Sequence, residues 1–305
     1  MKKCLILGGS GFIGKPLVKE LTKEHSVVSY SLEYVEEFQG NERVTSVVGD
    51  FTKENNFKGL LDGIDTVYHL VSTTLPSDRT DHIPQEIQDN IIPTIKLLEA
   101  MVECGVKNII FASSGGTVYG ESDHYLSSET DPLSPKSSYG LQKCIIEDYL
   151  KFYGLKYDIQ YKIARISNPY GIGQNINKPQ GVIPIFLNRI ANQKPITIYG
   201  DGEVVRDYIY MDDVIRALIQ LGKYDGKEHV FNVGSGKGHS LNEIMQIMRK
   251  IIGEEISVEY IPNRNCDVKV SVLNTSRIKA EIEWQAEVEL WEGITMILEY
   301  QEKYK

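Results

Sequence analysis

Tyr139 and Lys143 are the residues whose types and spacing point most directly to chemistry. They lie four residues apart at the start of a segment with a helical pattern, so both side chains would project from one helix face. A phenol loses its proton near pH ~10, and a close cation lowers that value. The pair predicts a tyrosine acid/base assisted by a lysine, although 18 tyrosines in the chain make the spacing alone a weak signal.

A run of glycines near the start of the chain follows an apolar segment and precedes a helical pattern. The residues predicted to meet a cofactor there are Gly8, Gly11, Phe12, Ile13 and Gly14. Glycine lets a backbone turn tightly and approach a pyrophosphate, and the N-terminus of a helix offers N–H groups to an anion. The position between a strand and a helix therefore predicts a dinucleotide site.

The end of the second predicted strand should carry the acid that binds the adenosine ribose of NAD. Ser31 occupies that place, with Glu33 two residues further on and no arginine to meet a 2'-phosphate. We therefore predict NAD, while NADP stays open. Asp50 follows the third strand, where a contact with adenine and the capping of a turn are equally good interpretations.

The order of the predicted elements indicates an α/β protein with a doubly wound parallel sheet of Rossmann type. The predicted strands are Lys3–Leu7, Val27–Tyr30, Val44–Val48, Thr66–Val71, Asn108–Ala112, Ile159–Ile166 and Val230–Val233. The predicted helices include Ile87–Cys104, Tyr139–Tyr153 (closed by Gly154), Met211–Leu221 and Leu241–Ile252.

The regular alternation stops after residue 167, where glycine, proline and asparagine become dense. The predicted domains are 1–167, an NAD-binding Rossmann domain that the chain rejoins at about 207–234, and a smaller C-terminal α/β substrate-binding region of 168–206 and 235–305.

Composition excludes several classes of protein. The net charge is -9 without a long basic run, which argues against nucleic acid as a partner. No apolar run approaches the roughly 20 residues that span a bilayer, so no membrane partner is expected. The four cysteines lack the spacing of metal ligands, which predicts no metal site and reduced thiols in the cytoplasm.

Further motifs follow in a fixed order along the chain. They are Ser113-Ser114-Gly115-Gly116-Thr117-Val118-Tyr119-Gly120, Asn168-Pro169-Tyr170-Gly171, Arg206-Asp207-Tyr208, Asn232-Val233-Gly234 and Pro262-Asn263-Arg264 with Asp267. With the glycine turn and Tyr139-x-x-x-Lys143, the chain resembles the extended short-chain dehydrogenase/reductase family over essentially its whole length. Within that family it looks like the NAD-dependent nucleotide-sugar epimerases and dehydratases, above all the UDP-glucose (UDP-galactose) 4-epimerases.

The resemblance implies a role for each matching residue. Tyr139 would be the acid/base on the sugar hydroxyl, Lys143 would bind the nicotinamide ribose, and Ser114 would hydrogen-bond the same hydroxyl. The spacing between Ser114 and Tyr119 is one residue longer than is usual in the family. As an alternative, Ser113 or Thr117 would therefore share or take the role of Ser114. The further implied cofactor contacts are Phe51, Leu70, Asn90 and Ser113. The implied substrate contacts are Thr117, Asn168, Arg206, Arg264, Asp267 and Ser271.

The same resemblance bears on the subclass. Dehydratases of this kind carry an Asp-Glu pair where this chain has Gly115 and Gly116, so a simple C4 epimerase of a UDP-hexose is expected. A small residue at Ser271 implies room for an N-acetyl group, hence UDP-GlcNAc and UDP-GalNAc beside UDP-glucose and UDP-galactose. The alternatives are an NAD(P)-dependent nucleotide-sugar reductase and a cofactor-sensing regulatory protein. The family also implies a homodimer formed through the helices at Ile87–Cys104 and Tyr139–Tyr153.

Overall fold

The computed structural model describes residues 1–75, 82–122, 124–174, 181–262 and 268–303. They divide into two compact units, each described by itself below. The first unit comprises Met1–Ser114, Ser137–Arg165 and Ile215–Phe231, and the second comprises Gly115–Lys136, Ile166–Val214 and Asn232–Lys305. The predicted division differs from this one at 115–136, 207–214 and 232–234, all of which the second unit contains. The short strand in 115–136 pairs with a strand of the second unit.

The first unit is built on a seven-stranded sheet. Its strands are β1 (Lys3–Leu7), β2 (Ser26–Ser31), β3 (Val44–Val48), β4 (Thr66–His69), β5 (Asn108–Ser114), β7 (Gln160–Ile166) and β11 (Val230–Val233). They lie in the order β11-β7-β5-β4-β1-β2-β3. Strand β1 pairs in parallel with β2 on one side and with β4 on the other. The chain therefore reverses its direction of winding at β1, and such a switch point is where doubly wound sheets bind ligands.

Helices accompany this sheet along the chain. They are α1 (Gly14–Leu21), α2 (Phe57–Leu60), α3 (Ile83–Glu86), a π-helical turn (Ile87–Ile91), α4 (Ile92–Cys104), α6 (Ser138–Tyr157) and α8 (Met211–Lys223). Leu5, Leu7, Leu97, Phe111 and Ile163 have no exposed surface and belong to one apolar core. Burial of such strands explains why their sequences are nearly continuous apolar runs.

The prediction for the helix at Tyr139–Tyr153 was too short at its C-terminal end. Helix α6 continues past Gly154 to Tyr157 and is capped by Asp158, which takes a left-handed conformation. A Cβ on Gly154 would lie 2.6 Å from the ring of Tyr161, so this glycine allows close packing rather than ending the helix. Gly105, by contrast, does end α4 in the left-handed conformation that favours glycine.

The second unit is organised around β10 (Val205–Tyr210). The other strands here are β6 (Leu126–Ser127), β8 (Asn168–Tyr170), β9 (Ile196–Tyr199), β12 (Gly238–Ser240), β13 (Val258–Ile261) and β14 (Val270–Leu273). Strand β10 pairs in parallel with β8 and β14 and antiparallel with β12, and β14 pairs with β6. Strands β9 and β13 form a separate parallel pair.

The helices of the second unit complete its core. They are α5 (Gly115–Val118), α7 (Val182–Ala191), α9 (Leu241–Ile252), α10 (Ser276–Ile282) and α11 (Leu290–Lys303). A capping box of Ser240 and Glu243 begins α9. Helix α7 was not predicted, because Gly181 and Pro184 are residue types typical of loops. Proline is nevertheless tolerated in the first turn of a helix, where Pro184 lies.

Within the described part of the chain, no helix is both long enough and apolar enough to cross a membrane.

Candidate active site

Helix α6 presents the predicted acid/base pair to the end of β5. Ser137 caps the helix by accepting the Gly140 N–H at 3.1 Å, which places Tyr139 in the first turn. Lys143 follows one turn later and is only 4% exposed. Its Nζ donates to the carbonyl of Ala112 at 2.9 Å and lies 5.5 Å from the centre of the Tyr139 ring. The structure therefore brings the phenol and the ammonium together on one helix face.

Burial governs the acidity of both groups. It raises the pKa of Tyr139 to about 12, and a hydrogen bond from Ser114 acts in the opposite direction. Burial also lowers the pKa of Lys143 to about 8, against the charge of Glu147, which raises it. Removal of water around the phenol is therefore the largest influence on its pKa.

The two adjacent serines at the end of β5 have different partners. Ser114 bonds Tyr139. The neighbouring Ser113 donates to Glu147 Oε1 at 2.5 Å, and its predicted contact with cofactor or substrate stays a prediction. Thr117 lies in the second unit, where its Oγ1 is buried without a hydrogen-bond partner in the described structure.

The glycine turn has the close approaches that a dinucleotide site requires. Gly8 has a φ of +93°, and a Cβ on Gly14 would lie 2.0 Å from the Gly8 carbonyl oxygen. Gly11 donates its N–H to that same oxygen at 2.9 Å. Among the described residues, no side chain caps α1 and no acid lies in its first turn, so the backbone N–H groups around Phe12 and Ile13 suit a phosphate. These residues fit a bound dinucleotide.

Two further predicted cofactor residues lie at strand ends beside this turn. Gly8 and Gly9 donate their N–H groups to the Tyr30 carbonyl, next to Ser31 at the end of β2. Ser31 itself is buried, and its hydroxyl donates to the Glu33 carbonyl at 3.0 Å. Leu70 follows β4, and its carbonyl carbon would lie 3.5 Å from a Cβ on Gly8. The ends of β1, β2 and β4 therefore converge on the turn.

Asp50 and Phe51 both make contacts within the first unit. Asp50 Oδ1 accepts from the N–H and hydroxyl of Thr52 at 3.0 and 2.8 Å, so this carboxylate caps the turn after β3. Phe51 is 4% exposed, and its ring centre lies 5.0 Å from that of His69. The contact of Asp50 with adenine and the contact of Phe51 with a cofactor stay predictions.

Asn90 connects the π-helical turn to α6. Its Oδ1 accepts from the Thr73 N–H at 2.8 Å, and its Nδ2 donates to Gln142 Oε1 at 2.9 Å and to the Glu86 carbonyl at 3.0 Å. The predicted contact of Asn90 with a cofactor stays a prediction.

The second unit gathers three predicted substrate residues on one side of its sheet. Arg206 on β10 pairs in register with Ser271 on β14, and Asn168 on β8 pairs with Tyr208 on β10. Residues 206 and 208 project from the same face of β10, since side chains alternate along a strand. A Cβ on Gly116 would lie 3.6 Å from Asn168 Oδ1, which is an ordinary van der Waals contact.

Arg206 and Asp207 have different surroundings. Arg206 Nη1 donates to the Val205 carbonyl at 2.9 Å. Asp207 has no exposed surface and accepts from the backbone and hydroxyl of Ser235. The predicted residues Arg264 and Asp267 lie outside the described residues.

Sequence reasoning missed the residues that hold the site together. Glu147, Arg165, Gln142 and Asp207 are all buried and hydrogen-bonded. One signal was available, because Glu147 lies four residues after Lys143 and so shares its helix face. No group of three or more metal-binding side chains was found among the residues described.

Comparison with known proteins gives one family. The family described as "NAD dependent epimerase/dehydratase family" matches residues 4–234. A "dTDP-4-dehydro-6-deoxyglucose reductase" of Escherichia coli is 35% identical over 96% of each chain. A "Putative UDP-glucose 4-epimerase" of Methanocaldococcus jannaschii is 32% identical over 97% of each.

Solved structures give the same result. UDP-glucose 4-epimerase of Thermotoga maritima, with UDP-glucose, is similar at a TM-score of 0.92 with 32% identity and 99% of both chains covered. UDP-N-acetylglucosamine 4-epimerase of Methanobrevibacter ruminantium, in complex with UDP-N-acetylmuramic acid, is similar at a TM-score of 0.93 with 28% identity, covering 100% of this chain and 99% of the other. The chain belongs to the NAD dependent epimerase/dehydratase family.

Proposed function

We propose that this protein is an NAD-dependent enzyme that epimerises a UDP-hexose at C4 through a 4-keto intermediate. The observation that carries the proposal is the set of Ser114, Tyr139 and Lys143, held together in the same unit as the glycine turn. Bound NAD supplies a hydride acceptor for C4 and then a hydride donor.

Tyr139 is assigned the proton transfer. Its phenolate accepts the proton of the C4 hydroxyl as C4 becomes a carbonyl carbon. After C4 is reduced on its opposite face, Tyr139 returns the proton to the resulting alkoxide oxygen. Ser114 donates a hydrogen bond to the reacting oxygen in this assignment. Because burial raises the pKa of Tyr139 to about 12, positive charge must favour the phenolate, and Lys143 brings one such charge.

Substrate recognition is assigned to the second unit. Arg206 suits a diphosphate because a guanidinium offers several donors to two oxygens at once. Asn168 offers an amide, and the orphaned Thr117 Oγ1 offers a hydroxyl that lacks a partner. Arg264 and Asp267 keep the substrate roles that the family pattern implies.

Absence of extra acid/base groups supports epimerisation over dehydration. Gly115 and Gly116 stand where a dehydratase of the resembling type has acids. The small Ser271, beside Arg206, supports acceptance of an N-acetylated hexose as well. One of the similar structures is named a UDP-N-acetylglucosamine 4-epimerase, which agrees with this choice.

The test is a product assay without added cofactor. The purified protein is incubated with UDP-glucose, UDP-GlcNAc and their C4 epimers, and the products are separated by chromatography. We expect interconversion within a C4 pair, because the cofactor is regenerated in each turnover. No conversion of any of the four would refute the proposal.

A reductase is the second candidate, because the relative with 35% identity is named a reductase. The reductase would consume reduced cofactor in proportion to product, whereas the epimerase would not. Incubation of a dTDP-4-keto-6-deoxy sugar with NADH or NADPH, followed at 340 nm, distinguishes them. Sustained oxidation together with no epimerisation of UDP-hexoses would select the reductase.

We also propose that the protein is a homodimer that pairs through α4 and α6. On α6, Leu141 and Phe152 are about half exposed and Leu155 is 91% exposed. Such an apolar surface on a helix is costly to leave in water. Light scattering after gel filtration should give twice the 34.5 kDa chain mass for the wild type. Phe152→Glu should give the monomer, and an unchanged mass in that variant would place the interface elsewhere.

A cytoplasmic location is proposed from the same chain. Cys4, Cys104 and Cys144 are free thiols, as in proteins of reducing compartments.

A further inference from the structure

A buried ion cluster of Lys143, Glu147 and Arg165 joins α6 to β7, and the proposed chemistry leaves Glu147 and Arg165 without a role. Glu147 lies one helical turn after Lys143 and has no exposed surface. Arg165 on β7 is 3% exposed and Lys143 is 4% exposed. Burying three charges is expensive unless they compensate one another, so their arrangement requires an explanation.

Glu147 is bound on both of its carboxylate oxygens. Arg165 Nη2 donates to Oε2 at 2.7 Å, and Arg165 Nε lies 3.2 and 3.3 Å from the two oxygens. Ser113 donates to Oε1 at 2.5 Å. This side chain therefore ties α6 to β5 and to β7, the two strands beside which the catalytic residues lie.

The surroundings of Lys143 contain few other charges. Its Nζ lies 4.7 Å from the centre of the Phe111 ring and donates to the Ala112 carbonyl. On β4, His69 stays neutral, because burial, aided by the charge of Lys143, lowers its pKa to about 3. On the helix itself Tyr139 is neutral at its raised pKa. Of the groups named around Lys143, including Arg165 on β7, Glu147 alone is negative.

We propose that Glu147 is a positioning residue for the reaction, which keeps Lys143 charged and fixes α6 against β5 and β7 through Ser113 and Arg165. The proposal rests on the proposed function for its kinetic consequence, but its effect on Lys143 can be measured without substrate or cofactor.

Loss of the Glu147 charge should make Lys143 a weaker base. Burial already lowers the pKa of Lys143 to about 8, and the charge of Glu147 raises it. In Glu147→Gln the amide still accepts from Ser113, but the negative charge that raises the pKa of Lys143 is lost. We expect the titration of Lys143 to move to lower pH by about one unit, a tenfold change in proton affinity.

The direct test is a titration of Lys143 by NMR. The full chain is labelled with lysine carrying ¹³C at Cε, and the resonance is assigned by its absence in Lys143→Met. The expected titration midpoints are lower in Glu147→Gln and in Glu147→Gln/Arg165→Met than in wild type and Glu147→Asp. The double variant removes both charges, so it keeps the test open where the single variant does not fold. Equal midpoints in wild type and in each folded variant lacking the Glu147 charge would overturn the proposal.

The kinetic test separates positioning from general damage. In Glu147→Gln, the alkaline limb of the pH profile of kcat should move to lower pH, while KM for the sugar nucleotide stays within about twofold. Glu147→Asp should restore the wild-type limb. A loss of kcat that is equal at every pH would contradict the proposal. Failure of the wild type on every sugar nucleotide would count against the proposed function alone, since the NMR order is independent of it.

Discussion

Asp207 is the residue whose replacement we expect to damage the second unit most, because five donors converge on one carboxylate. Oδ1 accepts from the N–H and hydroxyl of Ser235, both at 2.8 Å, and from the Ser167 hydroxyl at 3.2 Å. Oδ2 accepts from the N–H groups of Gly236 and Leu273, at 3.1 and 3.3 Å. These contacts join β10 to the segments after β7 and β11 and to β14.

Asp207→Asn preserves the shape and replaces one acceptor by a donor. If the amide nitrogen takes the Oδ2 position, two backbone N–H groups lose their acceptor. If it takes the Oδ1 position, three donors lose theirs. Each orphaned buried donor costs about 1–3 kcal/mol, so the smaller loss gives about 2–6 kcal/mol. This is a large share of the stability of an ordinary domain, about 5–15 kcal/mol.

The assay is urea unfolding followed by fluorescence and circular dichroism, with the slope of the transition compared between variants. Asp201→Asn is the matched control, because Asp201 is exposed and accepts from the Glu203 N–H at 3.0 Å. We expect a change within about 0.5 kcal/mol for the control. A loss below about 1 kcal/mol in Asp207→Asn, at unchanged slope, would refute the reasoning, since a single orphaned donor costs that much.

The remaining predictions address the cofactor, the base, the substrate and the pH dependence of stability. Gly14→Ala should abolish retention of NAD through purification, because the added Cβ would lie 2.0 Å from the Gly8 carbonyl oxygen; cofactor released by heat and measured at wild-type stoichiometry would contradict this. Tyr139→Phe should lower kcat by at least about 100-fold, and a wild-type rate of epimer interconversion would exclude Tyr139 as the base. Ser271→Tyr should remove activity on UDP-GlcNAc while sparing UDP-glucose, and equal losses on both substrates would disprove the role of Ser271. His69 has its pKa lowered by burial from 6.5 to about 3, so the unfolded chain binds its proton first as the pH falls. Between pH 6.5 and about 3, the contribution of His69 to the free energy of unfolding should fall by about 1.4 kcal/mol for each unit by which the pH is lowered. The urea midpoint of His69→Gln should therefore decline less steeply with falling pH than that of the wild type.

Much of the first unit could be predicted from the chain alone. The strands Lys3–Leu7 and Val44–Val48 have the predicted bounds, because continuous apolar runs between turn residues leave little choice of conformation. The glycine turn was also predictable, because Gly8 has a positive φ and Gly14 has no room for a Cβ. Gly154 was misread as a helix terminator because the same residue type also serves close packing against Tyr161.

The site was predictable where one element carries it and not where several elements meet. The Tyr139 and Lys143 pair depends only on the period of one helix, which the spacing contains. Asp50 and Asn90 match a family pattern, yet their side chains are taken up by Thr52, Thr73 and Gln142. The spacing of Asp50 and Asn90 in the sequence does not indicate that these protein side chains and backbone groups would bind them.

The sequence by itself determined the parallel α/β architecture, the phosphate turn and the face of α6 that carries the tyrosine and the lysine, because local periodicity and glycine stereochemistry encode them. Only the tertiary structure decided that Ser114 meets Tyr139 while Ser113 meets Glu147. Adjacent hydroxyls on a strand are equivalent in sequence, and the packing of the helix against the strand distinguishes them. The pKa values of Tyr139 and Lys143 were decided there too, since burial is a property of the folded chain.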